Sequence, residues 1–286
     1  MPTICFNPNF STTRLLVEEC PKGLQILPHH VDRKGQGGLR TRGCYKTSCR
    51  GKQLITVITV VYNGTDYIEQ TISNVINQGY DNIEYIVIDG ASEDGTIDLL
   101  REFDDRIDYW VSEPDTGLYD AMNKGWRIAS PGSAILFLGA GDKIVNLPAD
   151  CSILSDHKVI YGQVKLGSSR IFKSRINWSI KFANTLHHQA LLIPKALHIE
   201  PPFDTRYQIY ADYDFNLRIL NNKAEFKYDQ DFLTYALPGG TSETYSFEAY
   251  KIAKKNCGIF FGILASMFYL YQKVKRLLKI NLNNSK

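Results

Sequence analysis

What the chain lacks narrows it first. It has no Gly-x4-Gly-Lys-Ser/Thr phosphate loop. The loop after its first long apolar run, Tyr62-Asn63-Gly64-Thr65-Asp66, carries a single glycine where a dinucleotide fingerprint needs several. A nucleotide-dependent oxidoreductase is therefore disfavoured, and a diphosphate is not expected on the first helix N-terminus. The six cysteines have no regular pairing, and Cys44 and Cys49 offer half a zinc pattern with only His29-His30 as further donors. They read as free thiols of a reducing cytosol, which places the chain in the cytoplasm. The first thirty residues contain no continuous apolar segment, so no secretory signal is expected. Charge is also unexceptional: charged residues make up 22% and the net charge is +3, which excludes neither order nor solubility and does not call for a nucleic-acid partner. Internal repeats and low-complexity tracts are absent.

What is present is an alternation of apolar strands and amphipathic helices. Leu54–Val61 is continuously apolar and rich in β-branched residues, as a strand buried on both faces should be. From Asp66 to Gln78, Ile68, Ile72, Val75 and Ile76 recur at helical spacing, closing at Gly79. Ile83–Ile88 and Ile107–Val111 read as strands, Thr96–Phe103 and Leu118–Ala129 as helices, and Ala134–Leu138 as a fourth strand. This order predicts an α/β fold with a mainly parallel central sheet flanked by helices and right-handed crossovers. Farther on, Val159–Val164 and Ala190–Ile193 read as strands and Ala211–Leu220 as a helix. The expected organisation is an irregular N-terminal extension over 1–50, a catalytic domain over 51–245 and a helical tail over 246–286.

Three of the strands end in polar loops, at Tyr62-Asn63, at Asp89-Gly90 and at Gly139-Ala140-Gly141-Asp142. The carboxyl ends of strands in an open α/β sheet are where ligands collect. Aspartates there suit a metal or a hydroxyl-rich substrate such as ribose or sugar, so the pattern points to an enzyme handling a nucleotide-linked substrate. With no glycine loop to receive a diphosphate, a divalent cation held by Asp142 is the expected alternative.

At this point the residues resemble a known family. Val60-Val61-Tyr62-Asn63 is followed by Ile88-Asp89-Gly90-Ala91-Ser92-Glu93-Asp94-Gly95-Thr96, then by Ser112-Glu113-Pro114-Asp115-x-Gly117-x-Tyr119-Asp120-Ala121-Met122-Asn123-Lys124-Gly125. Gly139-Ala140-Gly141-Asp142, His188-Gln189 and Asp212-Tyr213-Asp214-x3-Arg218 complete the series. In this order, over roughly residues 54–220, the motifs resemble glycosyltransferase family 2, and among its members the bacterial enzymes of polysaccharide biosynthesis. The resemblance implies a GT-A fold and inverting transfer of a sugar from a nucleotide-sugar donor to a glycan or lipid-linked acceptor. It assigns Tyr62, Asn63, Asp89, Asp94, Asp120 and Asn123 to the donor, Asp142 to Mg or Mn, and His188, Asp214 and Arg218 to the acceptor side. Asp212 takes the place of the general base, with a helix-capping role as the competing reading. The sequence departs from the family where Ala140-Gly141 stands in place of the first acidic residues of the metal motif. That departure keeps a non-catalytic nucleotide-sugar-binding protein as the alternative.

The tail carries Gly258–Tyr271, a nearly unbroken apolar run too short to span a bilayer comfortably. Lys251, Lys254 and Lys255 precede it, and Lys273, Lys275, Arg276 and Lys279 follow. Apolar residues bracketed by cations predict peripheral contact with the inner face of the cell membrane.

Overall fold

The computed structural model describes residues 4–6, 15–17, 26–47, 53–151, 157–167, 170–197, 201–222, 224–238 and 247–284. β1 (Ile4–Phe6) and β2 (Leu15–Val17) form a separate antiparallel ribbon. β3 (Gly35–Gly37) then leads into an alternating series: β4 (Ile55–Val61), α1 (Thr65–Ile76), β5 (Ile83–Asp89), α2 (Thr96–Glu102), β6 (Tyr109–Ser112), α3 (Leu118–Ile128) and β7 (Ala134–Gly139). β5, β4 and β7 pair in parallel, β4 at the centre, and β6 adds in parallel beside β5. The fold is therefore the α/β, mainly parallel architecture read from the sequence.

β4 and β5 are buried along their full length, and their side chains alternate between two apolar layers. Ile58, Val60, Ile86 and Ile88 face the side covered by α3. Ile55, Val57, Tyr85 and Val87 face α1 and α2. The chain runs outward from β4 to β5 and β6, then crosses back to β7 on the other side. That reversal opens a crevice beyond the carboxyl ends of β4 and β7, where the polar loops lie.

The second half extends the sheet with β8 (Lys143–Asn146), β9 (Lys158–Leu166), β10 (Arg170–Lys173), β11 (Leu191–Pro194) and β12 (Glu225–Ala236). The full order is β3-β6-β5-β4-β7-β11-β9-β12-β8, with β10 on β9. β11 joins the halves, pairing antiparallel to both β7 and β9. The twelve-residue β12 was not evident in the sequence, because its first half is charged and largely exposed and its register shifts between Tyr228 and Leu233. Only Phe232, Thr234 and Ala236 alternate into the core.

Two expected boundaries differ. Within the segment read as an irregular extension, residues 26–47 are part of the domain: β3 pairs with β6, and Leu27 and Leu39 are core residues. Arg40 forms a buried ion pair with Glu84, and Lys46 one with Asp108 at 2.7 Å. A glycine- and arginine-rich composition conceals this order, since its cations satisfy buried carboxylates instead of water. At the other end, α4 (Ala211–Asn221) packs against α5 (Glu248–Cys257), whose Ala249 and Ile252 belong to the main core. Gly258, at φ +98°, then breaks the chain before α6 (Ile259–Asn284). That left-handed backbone favours glycine. The expected tail is therefore two helices, the first of which belongs to the domain.

Candidate active site

The donor side is built from the loops after β4, β5 and β6. Tyr62 follows β4 directly and leaves its ring 67% exposed. Asn63 takes a left-handed φ of 48° and ties the next loop down: its Oδ1 accepts from Glu93 N at 3.0 Å, while its N–H donates to Ser92 Oγ at 2.7 Å. Asp89 is fully buried and accepts from Ser92 N (3.0 Å), Ser112 Oγ (2.5 Å) and the Ser92 hydroxyl. Gly90 follows it because a Cβ there would lie 2.6 Å from Asp115 Oδ2 and 3.4 Å from Tyr62 Cδ2. Tyr62, Asp115 and the backbone of Gly90 thus line one rim. Burial raises the Asp115 carboxyl, against a hydrogen bond from Gly117 N and the charge of Lys124.

Several residues expected to touch the donor are occupied in holding these loops. Asp94 accepts from Thr65 N (3.0 Å), Thr96 N (3.1 Å) and Thr96 Oγ1 (2.6 Å), joining the first turns of α1 and α2. Desolvation pushes its carboxyl up, but those Thr96 and Thr65 bonds carry it well below the ordinary value. Asp120 accepts from Thr116 N at 3.0 Å. Asn123 is buried and makes a two-point clamp on the backbone of Phe203, at 2.8 and 2.9 Å. Its side chain therefore fixes the loop before α4 rather than facing a donor.

Side chains to which the resemblance assigns no role brace the same rim. Arg33 donates to Glu113 Oε2 through Nε and Nη2 at 2.9 and 2.7 Å. Lys124 reaches Glu113 Oε1 at 3.0 Å and Pro114 O at 2.7 Å. Lys34 donates to Ala91 O at 3.0 Å and pairs with Glu93 at 3.1 Å. Arg33 and Lys34 come from the segment ahead of the first motif, and only the β3–β6 pairing brings them here.

The centre of the site is Asp142. Thr71 Oγ1 donates to the Asp142 carbonyl at 3.1 Å, Asp142 Oδ2 accepts from Gly139 N at 2.7 Å, and Oδ1 accepts from Leu237 N, just past β12, at 2.9 Å. Gln189 Nε2 donates to Oδ2 at 3.1 Å. Burial raises this carboxyl, and those three donors oppose the rise. Gln189 Oε1, buried beside the His187 ring, takes no hydrogen bond of ordinary geometry. Burial brings the His187 imidazole down to about 4, so it is neutral at physiological pH. Among the described residues no group of three or more His, Cys, Asp and Glu side chains is placed to hold a metal ion. What the site offers is one carboxylate and one unpaired amide oxygen, the sparse all-oxygen set that magnesium accepts when substrate phosphates complete its shell. The residues fit a cation shared with a ligand and not a cation held by protein alone.

Asp212 lies across the same turn. The short 3-10 turn His188–Ala190 leads into β11, and its Gln189 reaches Asp142 while His188 Nδ1 lies 3.4 Å from Asp212 Oδ2. Asn184 Nδ2 donates to Asp212 Oδ2 at 3.1 Å. Asp212 Oδ1 accepts from Tyr213 N at 2.8 Å and has the Tyr119 hydroxyl at 3.2 Å. Desolvation acts to raise this carboxyl, but His188, His187 and Tyr119 hold it below its ordinary value. It is therefore ionised at neutral pH, and burial with the adjacent Asp212 charge keeps Tyr119 protonated. The N-terminus of α4 has no side-chain cap, and the three N–H groups of residues 208–210 donate instead to Glu248 at 2.9 to 3.1 Å. Asp212 is not the N-cap residue of α4, which is Tyr210, and its one bond to the helix start is the first-turn N–H of Tyr213.

Asp214 and Arg218 face elsewhere. Two residues along a helix turn a side chain roughly 200° away, and Asp214 is fully buried against Arg218 Nε (2.8 Å), Lys255 Nζ (3.1 Å) and Asn256 Nδ2 (2.9 Å). Arg218 also reaches the carbonyls of Pro201 and Pro202. The pair expected on the acceptor side is a tie between α4, α5 and the loop before α4.

Comparisons with known proteins agree on one class. Residues 56–142 match the model of glycosyl transferase family 2. A glycosyltransferase of PGL/p-HBAD biosynthesis from Mycobacterium bovis strain BCG is 27% identical over 188 residues, 60% of this chain and 71% of the relative. Among solved structures, residues 1–349 of S. aureus TarS in complex with UDP-GlcNAc superpose with a TM-score of 0.58 at 17% identity, covering 71% of this chain and 66% of that one. The mannosyltransferase PcManGT from Pyrobaculum calidifontis, in complex with GDP-Man and Mn2+, gives 0.51 at 18% identity over 72% of this chain and 62% of its own. These similarities at low identity concern the fold, which is that of GT-A enzymes.

Proposed function

Because this chain is a glycosyltransferase of family 2, we propose that it moves a sugar from a nucleotide diphosphate donor to a glycan or lipid-linked acceptor, with inversion at the anomeric carbon. The observation that carries the reading is one turn with two contacts: Gln189 is bonded to Asp142 and His188 is beside Asp212. The donor's nucleoside lies along Tyr62 and the Gly90 backbone, with its diphosphate toward Asp142. A divalent cation there would draw on Asp142, Gln189 Oε1 and diphosphate oxygens, and would neutralise charge on the leaving group.

Asp212 takes the acceptor hydroxyl proton as that oxygen forms its bond to the anomeric carbon. The bond to the diphosphate breaks with its electron pair leaving on phosphate. His188, Asn184 and Tyr119 hold Asp212 in one orientation and in its ionised form before the acceptor arrives. A single displacement inverts the anomeric configuration. We place the reaction in the cytoplasm, the compartment suggested by six cysteines with no regular pairing in the sequence.

Asp212→Asn preserves size but cannot take a proton. Transfer should fall by about 10²- to 10⁴-fold, the usual worth of general-base assistance, while donor binding by calorimetry stays within error. Transfer at the wild-type rate would remove Asp212 from the mechanism. A panel of nucleotide sugars with manganese, read by thermal stabilisation, identifies the donor independently.

A further inference from the structure

α6 presents a face that none of the described residues covers. Phe260, Ile263, Met267, Leu270, Val274 and Leu278 are each at least 46% exposed. At about 100° per residue these six positions fall within an arc of about 80°, a stripe that runs along roughly 27 Å of helix. Lys273 and Lys275 project about 60° beyond its two edges, and both are exposed. The opposite face is docked: Ala265 is fully buried, Phe268 packs edge-on against Phe182, and the Tyr269 hydroxyl accepts a hydrogen bond from Asn184 N at 3.1 Å. Exposure of the stripe is therefore not a sign that the helix is loose.

Charge selects the occupant. Residues 259–284 contain four lysines and arginines and no aspartate or glutamate. Residues 248–286 carry eight cationic residues against one acidic, whereas residues 1–247 carry 25 against 29. A second copy would bring the same cations to the stripe. An anionic lipid surface supplies the opposite charge and an apolar interior for the side chains between the lysines. No described helix is long and apolar enough to cross a membrane.

We infer that α6 lies in the interface of an anionic bilayer, with the Phe260–Leu278 stripe buried among the acyl chains and Lys273 and Lys275 at the headgroups. The docked face carries the consequence for chemistry. Asn184, held by Tyr269, donates through its side chain to Asp212 Oδ2 at 3.1 Å. The helix that meets the lipid is thus two hydrogen bonds from the carboxylate assigned to the acceptor. That geometry suits an acceptor whose anchor stays in the membrane. This last step rests on the glycosyltransferase reading; the lipid contact does not.

The test uses the full chain and vesicles of phosphatidylcholine, alone or mixed with phosphatidylglycerol. Wild type should float with the mixed vesicles and dissociate as salt rises. The triple variant Phe260→Ser, Met267→Ser, Leu270→Ser should bind them roughly 100-fold more weakly, yet transfer sugar to a soluble acceptor at the wild-type rate. Lys273→Gln with Lys275→Gln should weaken binding by roughly 10- to 30-fold at low salt. Wild type that does not bind mixed vesicles overturns the inference. So does binding that the triple variant retains, or a concentration-dependent dimer that the triple variant abolishes in place of vesicle binding. Vesicle binding without turnover of any nucleotide sugar would instead sink the proposed function and leave the lipid contact standing.

Discussion

A carboxylate or amide in a motif has two ways to be useful, and its hydrogen bonds tell them apart. Asp212 and Asn123 were both read as site residues, but their partners differ in kind. Asp212 accepts one local bond, from the N–H of Tyr213, and is otherwise met by side chains from two distant segments, Tyr119 of α3 and Asn184 with His188 ahead of β11, none of which needs it to complete a turn. Asn123 spends both ends of its amide on the N–H and C=O of Phe203. Replacing it with Ala leaves two buried backbone groups unpaired, and each such group costs about 1–3 kcal/mol. Asn123→Ala should therefore lower the urea midpoint markedly. In whatever fraction stays folded, the donor KM should change little. A large rise in donor KM at unchanged stability would restore the donor contact implied by the motif. Asp94 and Asp214 follow Asn123: one ties two helix starts and the other ties two helices, so the motif pattern located them while their partners assign them to structure.

Among elements, the four parallel strands were legible because each is a short, continuous apolar run ending in a polar loop, and burial on both faces leaves no other pattern. β12 was not, since a half-exposed strand with charged residues and a register shift has no two-residue rhythm to read. β3 was hidden for a different reason: Gly35-Gln36-Gly37 has no strand propensity, and its pairing with β6 is a tertiary event. That pairing delivers Arg33 to Glu113, the first acidic residue of the third motif. Burial alone would raise the Glu113 carboxyl, but Arg33 and Lys124 hold it below the ordinary 4.5. A carboxylate depressed in the fold stabilises it above its unfolded pKa, and loses that contribution as pH falls through its folded value. Arg33→Ala should raise the donor KM several-fold with kcat little changed, because it loosens the rim and not the base. Its stability deficit should be full at neutral pH and shrink as pH drops below 4.5. A deficit that persists unchanged at low pH would mean that Arg33 acts through Leu27 O, Pro28 O and Gln36 Oε1, its other contacts, and not through Glu113.

Taken whole, the molecule joins a parallel half that holds the donor loops to a mixed half that holds the acceptor carboxylate, and β11 with its preceding turn is the seam. α5 and α6 close the second half from outside. The sequence marked these two helices as one membrane tail, because lysines and apolar residues continue across both; only the break at Gly258 and the burial of Ala249 and Ile252 separate the part that belongs to the core. A cut before α5 would strip Lys255 and Asn256 from Asp214 and Glu248 from the residues ahead of α4, so the informative truncation ends the chain at Gly258. That protein keeps the core but loses the Tyr269 hydroxyl from Asn184 and the Phe268 ring from Phe182. Asn184 then has no partner fixing its backbone, and Asp212 loses an aligned donor. Transfer to a soluble acceptor should fall by about 10-fold, on the scale of one buried hydrogen bond of about 0.5–1.5 kcal/mol, while donor binding is unchanged. Tyr269→Phe in the full chain should reproduce most of that loss without detaching the protein from vesicles. If the truncation transfers to a soluble acceptor as well as wild type does, α6 serves the membrane alone and the Tyr269–Asn184 contact has no part in placing Asp212.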